Sequence, residues 1–228
     1  MKKVFVISLG GSLIIPEKMD YPFLNNFKDI LRKFYNLYKF VIVCGGGTIA
    51  RKYIEALRKE GKSKYEQSQA GIRATRMNAL FMIKFFGKEA NDSLSMNMKE
   101  IENDIHKNNV VFCGALRFAK DSTSDGTSAK IAHYFHANLI NMTNVKGLYT
   151  EDPNKNSKAK FIPRISWKRF EKMALKTRYE PGQHFVLDQK AAIVIRKNKI
   201  PTYIIGKNLK NLEKILKNQR FEGTLIED

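Results

Sequence analysis

Three consecutive glycines after an apolar run are the residues of this sequence best suited to holding a phosphate group. Residues 40–44 predict a buried strand, and residues 45–47 are all glycine. Glycine lets backbone N–H groups come close to an anion, and the positive end of a following helix adds to the attraction. Arg51 lies one turn further on, where a guanidinium can pair with phosphate oxygens. The helix itself is predicted by apolar residues at helical spacing: Ile49, Tyr53 and Leu57.

The same arrangement occurs a second time near the N-terminus. Residues 4–9 predict a strand that ends at the small residues 10–12, and two later strands end at Gly114 and Thr143. Because the carboxyl ends of parallel strands share one edge of a sheet, where ligands bind, we expect these turns to meet there. One such turn alone is equally compatible with a plain strand-to-helix connection. Two of them on one edge suit two phosphate groups, and therefore favour transfer between them.

The rest of the pattern alternates strands with helices, which predicts an α/β protein with a mainly parallel sheet covered on both faces. Further strands are predicted at 110–113, 138–142, 202–205 and 223–226. Helices are predicted at 23–37, 71–86, 166–176, around 191–195 and at 209–216, with another beginning near residues 123–125. Residues 91–109 show only a weak pattern, and residues 179–182 predict a turn. Three polar residues of the helix at 71–86 indicate an ordinary solvated face: Arg73, Arg76 and Asn78.

Length and composition indicate one large folded domain or a tightly joined pair. The chain has 228 residues, of which 43% are hydrophobic and 11% aromatic, enough for a buried core and against disorder. No apolar run approaches the ~20 residues that span a bilayer, which argues against a membrane partner. Cys44 and Cys113 both close apolar runs, so we expect buried thiols in a reducing cytoplasm rather than a disulfide.

The strongly basic composition could indicate a nucleic-acid surface or an attraction for small phosphorylated anions. Lysine and arginine number 41 against 22 acidic residues, a formal charge of +19. The lysines are scattered along the chain, without a basic helix or a ribbon of interleaved aromatics. This distribution favours small anions over nucleic acid as partners.

Several classes of site are excluded or disfavoured because their sequence motifs are absent or lie at the wrong place. The chain lacks the Gly-x-x-x-x-Gly-Lys-Ser/Thr pattern of a P-loop enzyme. Gly45-x-Gly47-x-x-Ala50 matches a dinucleotide-binding pattern, but it follows the second strand instead of the first, which disfavours an oxidoreductase. Neither a Cys/His metal cluster nor a Ser–His–Asp arrangement is evident, so no metal ligand is predicted from spacing.

Five motifs in order along the chain resemble the amino acid kinase superfamily, and within it the archaeal-type uridylate kinases. They are residues 7–12, 45–54, 71–79, 143–153 and 187–191. The resemblance covers the whole chain and implies a three-layer α/β/α fold formed by a single domain, residues 1–228. It also implies ATP and Mg²⁺ as co-substrate and cofactor, phosphoryl transfer to UMP to give UDP, and a homohexamer.

The resemblance also implies roles for individual residues, with an acceptor-binding half of about 1–135 and an ATP-binding half of about 136–228. Asp125 would orient basic groups around the transferred phosphoryl group, and Arg51 would contact phosphate, so both are predicted to be catalytic. The ATP-binding residues implied are Gly11, Ser12, Gly47, Arg51, Thr143, Asn144, Tyr149 and Asp152. The UMP-binding residues implied are Gly46, Ser68, Ser122, Thr123 and Ser124.

The chain departs from the resemblance at four places. Ser8 stands where many relatives carry lysine, Ser68 where they carry a ribose-binding aspartate, and Lys146 where they carry aspartate. The stretch 114–122 replaces a glycine-rich loop, and within it Arg117 and Lys120 are candidates to supply phosphate-binding charge. These departures leave two alternatives open: a kinase of the same fold for a different small acceptor, and a non-catalytic protein that binds nucleotide.

Overall fold

The computed structural model describes residues 2–116, 123–153, 156–176 and 186–228. The helices are α1 (Gly11–Ile14), α2 (Tyr21–Lys33), α3 (Gly47–Lys59), α4 (Lys64–Phe86), α5 (Met98–Lys107), α6 (Ser124–Tyr134), α7 (Trp167–Lys176), α8 (Gln189–Lys197) and α9 (Leu209–Leu216), with one 3₁₀ turn at Gly87–Glu89. The strands are β1 (Lys3–Leu9), β2 (Tyr38–Cys44), β3 (Val110–Cys113), β4 (Asn138–Met142), β5 (Leu148–Tyr149), β6 (Phe161–Ile162), β7 (Arg164–Ile165), β8 (Thr202–Ile205) and β9 (Thr224–Ile226).

Across the described residues, seven strands form one sheet in the order β3-β2-β1-β4-β8-β9-β7. The five strands from β3 to β8 run parallel, with Ile7 of β1 opposite Ile42 of β2 and Ile140 of β4. The pair β8–β9 is antiparallel, and β5 with β6 forms a separate antiparallel pair. The predicted mainly parallel α/β sheet is confirmed.

Both faces of this sheet are buried, as expected for parallel strands that are connected by helices. In β1, Phe5, Ile7 and Leu9 face the helices α2, α4 and α9, whereas Val4 and Val6 face α5, α6, α7 and α8. This arrangement is the predicted three-layer α/β/α fold. Cys44 and Cys113 are free and lie in opposite layers of the core, as expected for buried thiols.

Two helix boundaries differ from the sequence-based predictions. The helix predicted at 23–37 ends at Lys33, and Leu37 lies in the following turn with 60% of its surface exposed. The helix predicted from Gly71 begins instead at Lys64. Gly71 lies within α4, where an added Cβ would come 3.3 Å from Ile54 Cδ1, so the glycine allows α3 and α4 to pack closely. Gly71 therefore marks a contact between two helices and not the start of a helix.

The apolar face of α3 was also predicted wrongly. The side of α3 that packs toward the protein buries Ala50 and Ile54. Tyr53 of the predicted stripe points outward and is 57% exposed. The helix packs against α4 and not against the sheet, so its inward side needs only a narrow apolar strip.

Helix α5 and three short strands were not predicted, the helix because its segment was interpreted as weakly patterned and the strands because two residues are too few to show a pattern. Helix α5 lies in the segment with the weak pattern, and the strands β5, β6 and β7 contain two residues each. The turn predicted at 179–182 lies outside the described residues. Among the residues that the structure describes, no helix is both long and apolar enough to cross a membrane.

The early start of α4 generates a test of helix capping. The Ser63 side chain accepts a hydrogen bond from the Glu66 N–H, and the Glu66 carboxylate accepts one from the Ser63 N–H at 2.9 Å. Replacing Ser63 with Ala should lower the free energy of unfolding by about 1 kcal/mol, because an N-terminal N–H loses its partner. Ser63→Asp should retain most of the stability in urea denaturation. Equal losses in both variants would contradict the capping role.

Candidate active site

The carboxyl ends of β1, β2 and β4 and the residues after β3 line a cavity of about 740 Å³. Every predicted site residue that the structure describes lies on its wall. These residues are Gly11, Ser12, Gly46, Gly47, Arg51, Ser68, Thr123, Ser124, Asp125, Thr143, Asn144, Tyr149 and Asp152. Ser122 lies outside the described residues, as do Arg117 and Lys120. The structure therefore brings both sets of predicted binding residues to one cavity, while their individual roles stay predictions.

The two glycine turns touch through their backbones. A Cβ on Gly11 would come 2.3 Å from the Gly47 nitrogen, and one on Gly47 would come 2.4 Å from the Gly11 carbonyl carbon. Gly47 also has a φ of +61°, a conformation that favours glycine. The Gly10 N–H donates to Met142 O at 2.9 Å, which ties the first turn to β4. Only residues without a side chain allow the two turns to approach in this way.

Helix α3 points its N-terminus at this contact. Its N-cap residue is Gly46, which provides no side-chain hydrogen bond to the first turn. The first N–H groups are therefore not capped by the N-cap side chain, as in anion sites at helix N-termini. Arg51 lies one turn along and donates to Thr48 Oγ1 at 3.0 Å, and burial lowers the pKa of its guanidinium.

Helix α4 fixes the second glycine turn from behind. The Asn78 side chain is 2% exposed and donates through Nδ2 to Gly45 O at 2.7 Å. Asn78 was predicted to lie on a solvated face, which is wrong because this side of α4 faces the turn. An asparagine among apolar helix positions was the signal for such a buried contact, although its partner could not be read from sequence.

Two carboxyl groups lie together at the base of the cavity. The Ser8 hydroxyl donates to Asp125 Oδ1 at 3.1 Å, and the Thr123 hydroxyl donates to Asp188. Asp188 also accepts the Ala191 N–H at 2.8 Å, so it caps α8 while Thr123 caps α6. Burial raises the pKa of Asp125 to about 7, and the charge of Asp188 adds to the rise. Burial likewise raises the pKa of Asp188.

Asp188 was missed as a site residue even though it belongs to one of the motifs that carried the resemblance. In the structure Asp188 is the N-cap of the Gln189–Lys197 helix. Nothing in its spacing from Asp125 revealed that the two carboxyl groups share one cavity, because 63 residues separate them. That proximity arises from the packing of α6 against α8.

The cationic side chains of the cavity wall also differ from expectation. Among the described residues, Arg51 and Lys176 supply them. Lys176 ends α7 and was not predicted. Lys146, one of the four departures, instead forms an exposed ion pair with Glu222 at 3.0 Å and does not line the cavity. Its replacement of aspartate therefore does not change the wall directly.

The far end of the cavity is formed by the segment after β4. Thr143 and Asn144 follow that strand, and Tyr149 belongs to β5. The Tyr149 ring meets the Phe161 ring edge to face, with centroids 5.4 Å apart. An aromatic side chain fixed in this way, next to hydroxyl and amide groups, has the chemistry to contact a nucleoside.

Fold and site together define an α/β protein whose glycine turns meet at the strand ends, an arrangement suited to holding phosphate groups. Residues 3–206 match the amino acid kinase family, and the chain belongs to that family. It is 31% identical over 224 residues to the uridylate kinase of Thermococcus kodakarensis, covering 97% of this chain and 98% of that protein. It is 32% identical over 230 residues to the uridylate kinase of Thermoplasma acidophilum, covering 100% and 98%. The crystal structure of the uridylate kinase from Archaeoglobus fulgidus superposes with a TM-score of 0.83 at 31% identity, covering 98% and 99%.

The contact between the glycine turns predicts a specific cost for adding a methyl group. Gly47→Ala should lower the free energy of unfolding by about 1–3 kcal/mol more than Gly61→Ala. Gly61 is the matched control because its φ is +67° and an added Cβ would meet nothing within 4 Å, so it reports backbone strain alone. Urea denaturation of both variants gives the comparison. Equal losses would show that the turns separate without cost.

The raised pKa of Asp125 predicts how stability depends on pH. The pKa of Asp125 rises from 3.8, the usual value for an aspartate, to about 7 in the folded protein, so wild-type stability falls as pH rises through that window. Asp125→Asn has no proton to lose, and its free energy of unfolding relative to wild type should rise by about 1 kcal/mol or more between about pH 5 and pH 8. Asp92→Asn, an exposed carboxyl, controls for the lost charge. A difference that does not change with pH would contradict burial of Asp125.

Proposed function

We propose that this protein is a UMP kinase, which transfers the γ-phosphoryl group of ATP to UMP and releases ADP and UDP. The observation that carries the proposal is the contact between two glycine turns inside one cavity, since two phosphate groups must meet for transfer. Relatives that carry the name uridylate kinase match the chain over nearly its whole length. The pathway that we propose for the activity is pyrimidine nucleotide synthesis, in the cytoplasm.

Phosphoryl transfer requires positioning and charge neutralisation more than covalent chemistry. The phosphate oxygen of a nucleoside monophosphate is itself the nucleophile, so the protein need not supply a general base. Backbone N–H groups of the two turns and the N-terminus of α3 direct positive charge at the phosphates. Arg51 adds a guanidinium at the same place, which is its proposed catalytic role.

ATP is assigned to the ATP-binding half, about 136–228, with its phosphates at the contact between the two glycine turns. Gly11, Ser12, Gly47 and Arg51 contact the phosphates in this proposal. The residues at the far end of the cavity frame the adenosine: Thr143, Asn144, Tyr149 and Asp152. This direction places the γ-phosphoryl group toward Asp125 and the second turn.

The acceptor is assigned to the half formed by about 1–135. Gly46 and the hydroxyl groups before α6 contact the UMP phosphate, namely Ser122, Thr123 and Ser124. Ser68, one turn into α4, contacts the ribose. The Asp125 carboxyl group orients its neighbours around the transferred group, and its hydrogen bond from Ser8 holds its own position.

Magnesium fits this cavity as an ion bound to the ATP phosphates. In the described chain, no group of three or more His, Cys, Asp or Glu could hold a metal by itself. Nucleotide-bound Mg²⁺ takes one or two carboxylates together with phosphate oxygens, and Asp125 and Asp188 bring carboxyl groups to the wall. Bound there, the ion would neutralise charge on the phosphates.

A different small acceptor for the same chemistry is the second candidate, and Ser68 is the observation that favours it. A carboxylate that pairs with a ribose hydroxyl discriminates strongly between substrates, and a serine at that place discriminates less. The fold, the ATP-binding half and the two glycine turns would be retained in that case.

The test is ADP release from ATP and Mg²⁺ with a panel of acceptors: UMP, CMP, dUMP, AMP, GMP, isopentenyl phosphate and acetylglutamate. We expect turnover with UMP to exceed the others. Turnover with another acceptor only would move the function to the second candidate. Nucleotide binding without turnover of any acceptor would contradict a kinase.

Ser68→Asp sharpens the same test because it restores a carboxylate at the proposed ribose contact. The KM for UMP should fall about tenfold, while the KM for dUMP, which lacks one hydroxyl group, should fall less. Ser68→Asn provides the uncharged control of similar shape. If the wild type and the two variants do not differ in KM for UMP, Ser68 does not contact the acceptor.

We further propose that the protein assembles as a homohexamer, in which the outward side of α3 and α4 contacts a second copy. Large apolar side chains are exposed there: Tyr53 (57%), Tyr65 (57%) and Met77 (66%) line one groove. Exposed apolar clusters of this kind mark interaction surfaces. Because the groove faces outward on two long helices, a two-fold axis would place it against its own copy.

Substitution of Met77 tests the assembly. Met77→Glu places a charge in the groove and should reduce the molar mass measured by light scattering after size-exclusion chromatography, because burying an unpaired charge is costly. Leu37→Glu is the matched control, since Leu37 is 60% exposed and lies outside the groove. A wild-type protein that is monomeric, or a Met77→Glu variant of unchanged mass, would contradict the proposed contact.

A further inference from the structure

The wall at the acceptor end of the cavity is attached to the middle of α4. Thr75 and Ala115 both line the cavity, and the Ala115 N–H donates to Thr75 Oγ1 at 3.0 Å. The preceding residue, Gly114, packs so closely that an added Cβ would lie 2.7 Å from the Arg76 nitrogen. The chain that leaves β3 is therefore in direct contact with α4 before it continues toward α6.

Arg76 holds this same segment from outside the cavity. Its guanidinium donates from Nε to Ala115 O at 3.0 Å and from Nη2 to Leu116 O. Ala115 is 1% exposed and Leu116 is 8% exposed. Arg76 is itself partly buried and does not line the cavity, so it reaches the ligand space only through the backbone that it holds.

The guanidinium group suits this task because it is planar and offers several donors in a fixed arrangement. One rigid group holds two consecutive carbonyl oxygens, which fixes the backbone at Ala115 and Leu116. A lysine ammonium is a single point of charge and cannot reproduce that two-point contact. Arg76 was predicted to lie on a solvated face, and the structure gives it two backbone partners instead.

We propose that Arg76 is a positioning residue that sets the affinity for the acceptor by holding the backbone at Ala115, which lines the cavity, and at the neighbouring Leu116. The proposal rests on the proposed function, because it takes the end of the cavity near Thr75, Ala115 and Thr123 to be the acceptor end. Thr123 and Ser124, which are assigned to the acceptor phosphate, line the same cavity as Ala115. Among the described residues, the side-chain hydrogen bonds of Arg76 go to Ala115 and Leu116, and neither residue belongs to the ATP-binding half.

The kinetic test compares Arg76→Lys with wild type at saturating concentrations of each substrate in turn. The KM for UMP should rise about fivefold to tenfold because one charge-assisted hydrogen bond is lost. The KM for ATP and the kcat should stay within about twofold, since neither the ATP contacts nor Arg51 change. Arg220→Lys is the matched control, because Arg220 is exposed in the segment before β9 and the substitution is the same.

Hydrogen exchange supplies a readout that does not depend on activity. In Arg76→Lys and in Arg76→Gln, the amide of Ala115 should exchange faster, while the amides of β1 and β4 exchange as in wild type. A rise in KM for UMP together with faster exchange at Ala115 would support the proposal. An equal rise in both KM values, or an unchanged KM for UMP in a folded variant, would overturn it.

The experiment separates this inference from the proposed function. Failure of the wild-type protein to use UMP would overturn the proposed function, and Arg76 is then judged on the acceptor that the protein does use. If the wild type uses no acceptor, the exchange of Ala115 decides: unchanged exchange in both Arg76 variants would overturn the positioning role. If Arg76→Lys does not fold, Arg76→Gln carries both measurements.

Discussion

The architecture of the site depends on one backbone contact, at which the turns after β1 and β2 meet. An added Cβ on Gly11 would lie 2.3 Å from the Gly47 nitrogen, so a single methyl group would force the turns apart. The contact brings the N-terminus of α3 and the end of β1 to the same point at the strand ends. Two phosphate groups that are bound at these turns are necessarily neighbours. The parallel sheet supplies this geometry by aligning the ends of β1, β2 and β4.

Polar contacts from the neighbouring helices fix the turns and segments at the carboxyl ends of the strands. Helix α4 holds the second glycine turn through Asn78 and the segment after β3 through Thr75 and Arg76. On the other face of the sheet, α6 and α8 meet through the hydrogen bond between Thr123 and Asp188. Each contact ends on the backbone or on a helix cap, and many residues of the cavity wall are glycine, serine, threonine or alanine. This suits a site that recognises phosphates by their charge and shape.

Sequence alone predicted the strands of the sheet and the glycine turns at their carboxyl ends, because those features are local. A strand of apolar residues and a glycine turn can be read from ten residues, and the resemblance supplied the rest of the cavity wall. The contacts missed are those between residues distant in sequence, such as Asn78 with Gly45 or Asp188 with Asp125. Helix boundaries were predicted wrongly where packing overrides the local pattern, as at Gly71, which was predicted to begin a helix but lies within α4. The outward direction of Tyr53 followed from α3 packing on α4, which the helical spacing could not show.

The most direct test of the account is the affinity of one compound that contains both nucleosides. An adenosine and a uridine, joined through their 5′ oxygens by a chain of phosphates, should occupy both halves of the cavity at once. Isothermal titration calorimetry should give a dissociation constant at least about a hundredfold below that of ATP or UMP alone, because the second half binds without a further loss of translational freedom. A dissociation constant equal to that of ATP would show that the two phosphate sites do not share one cavity.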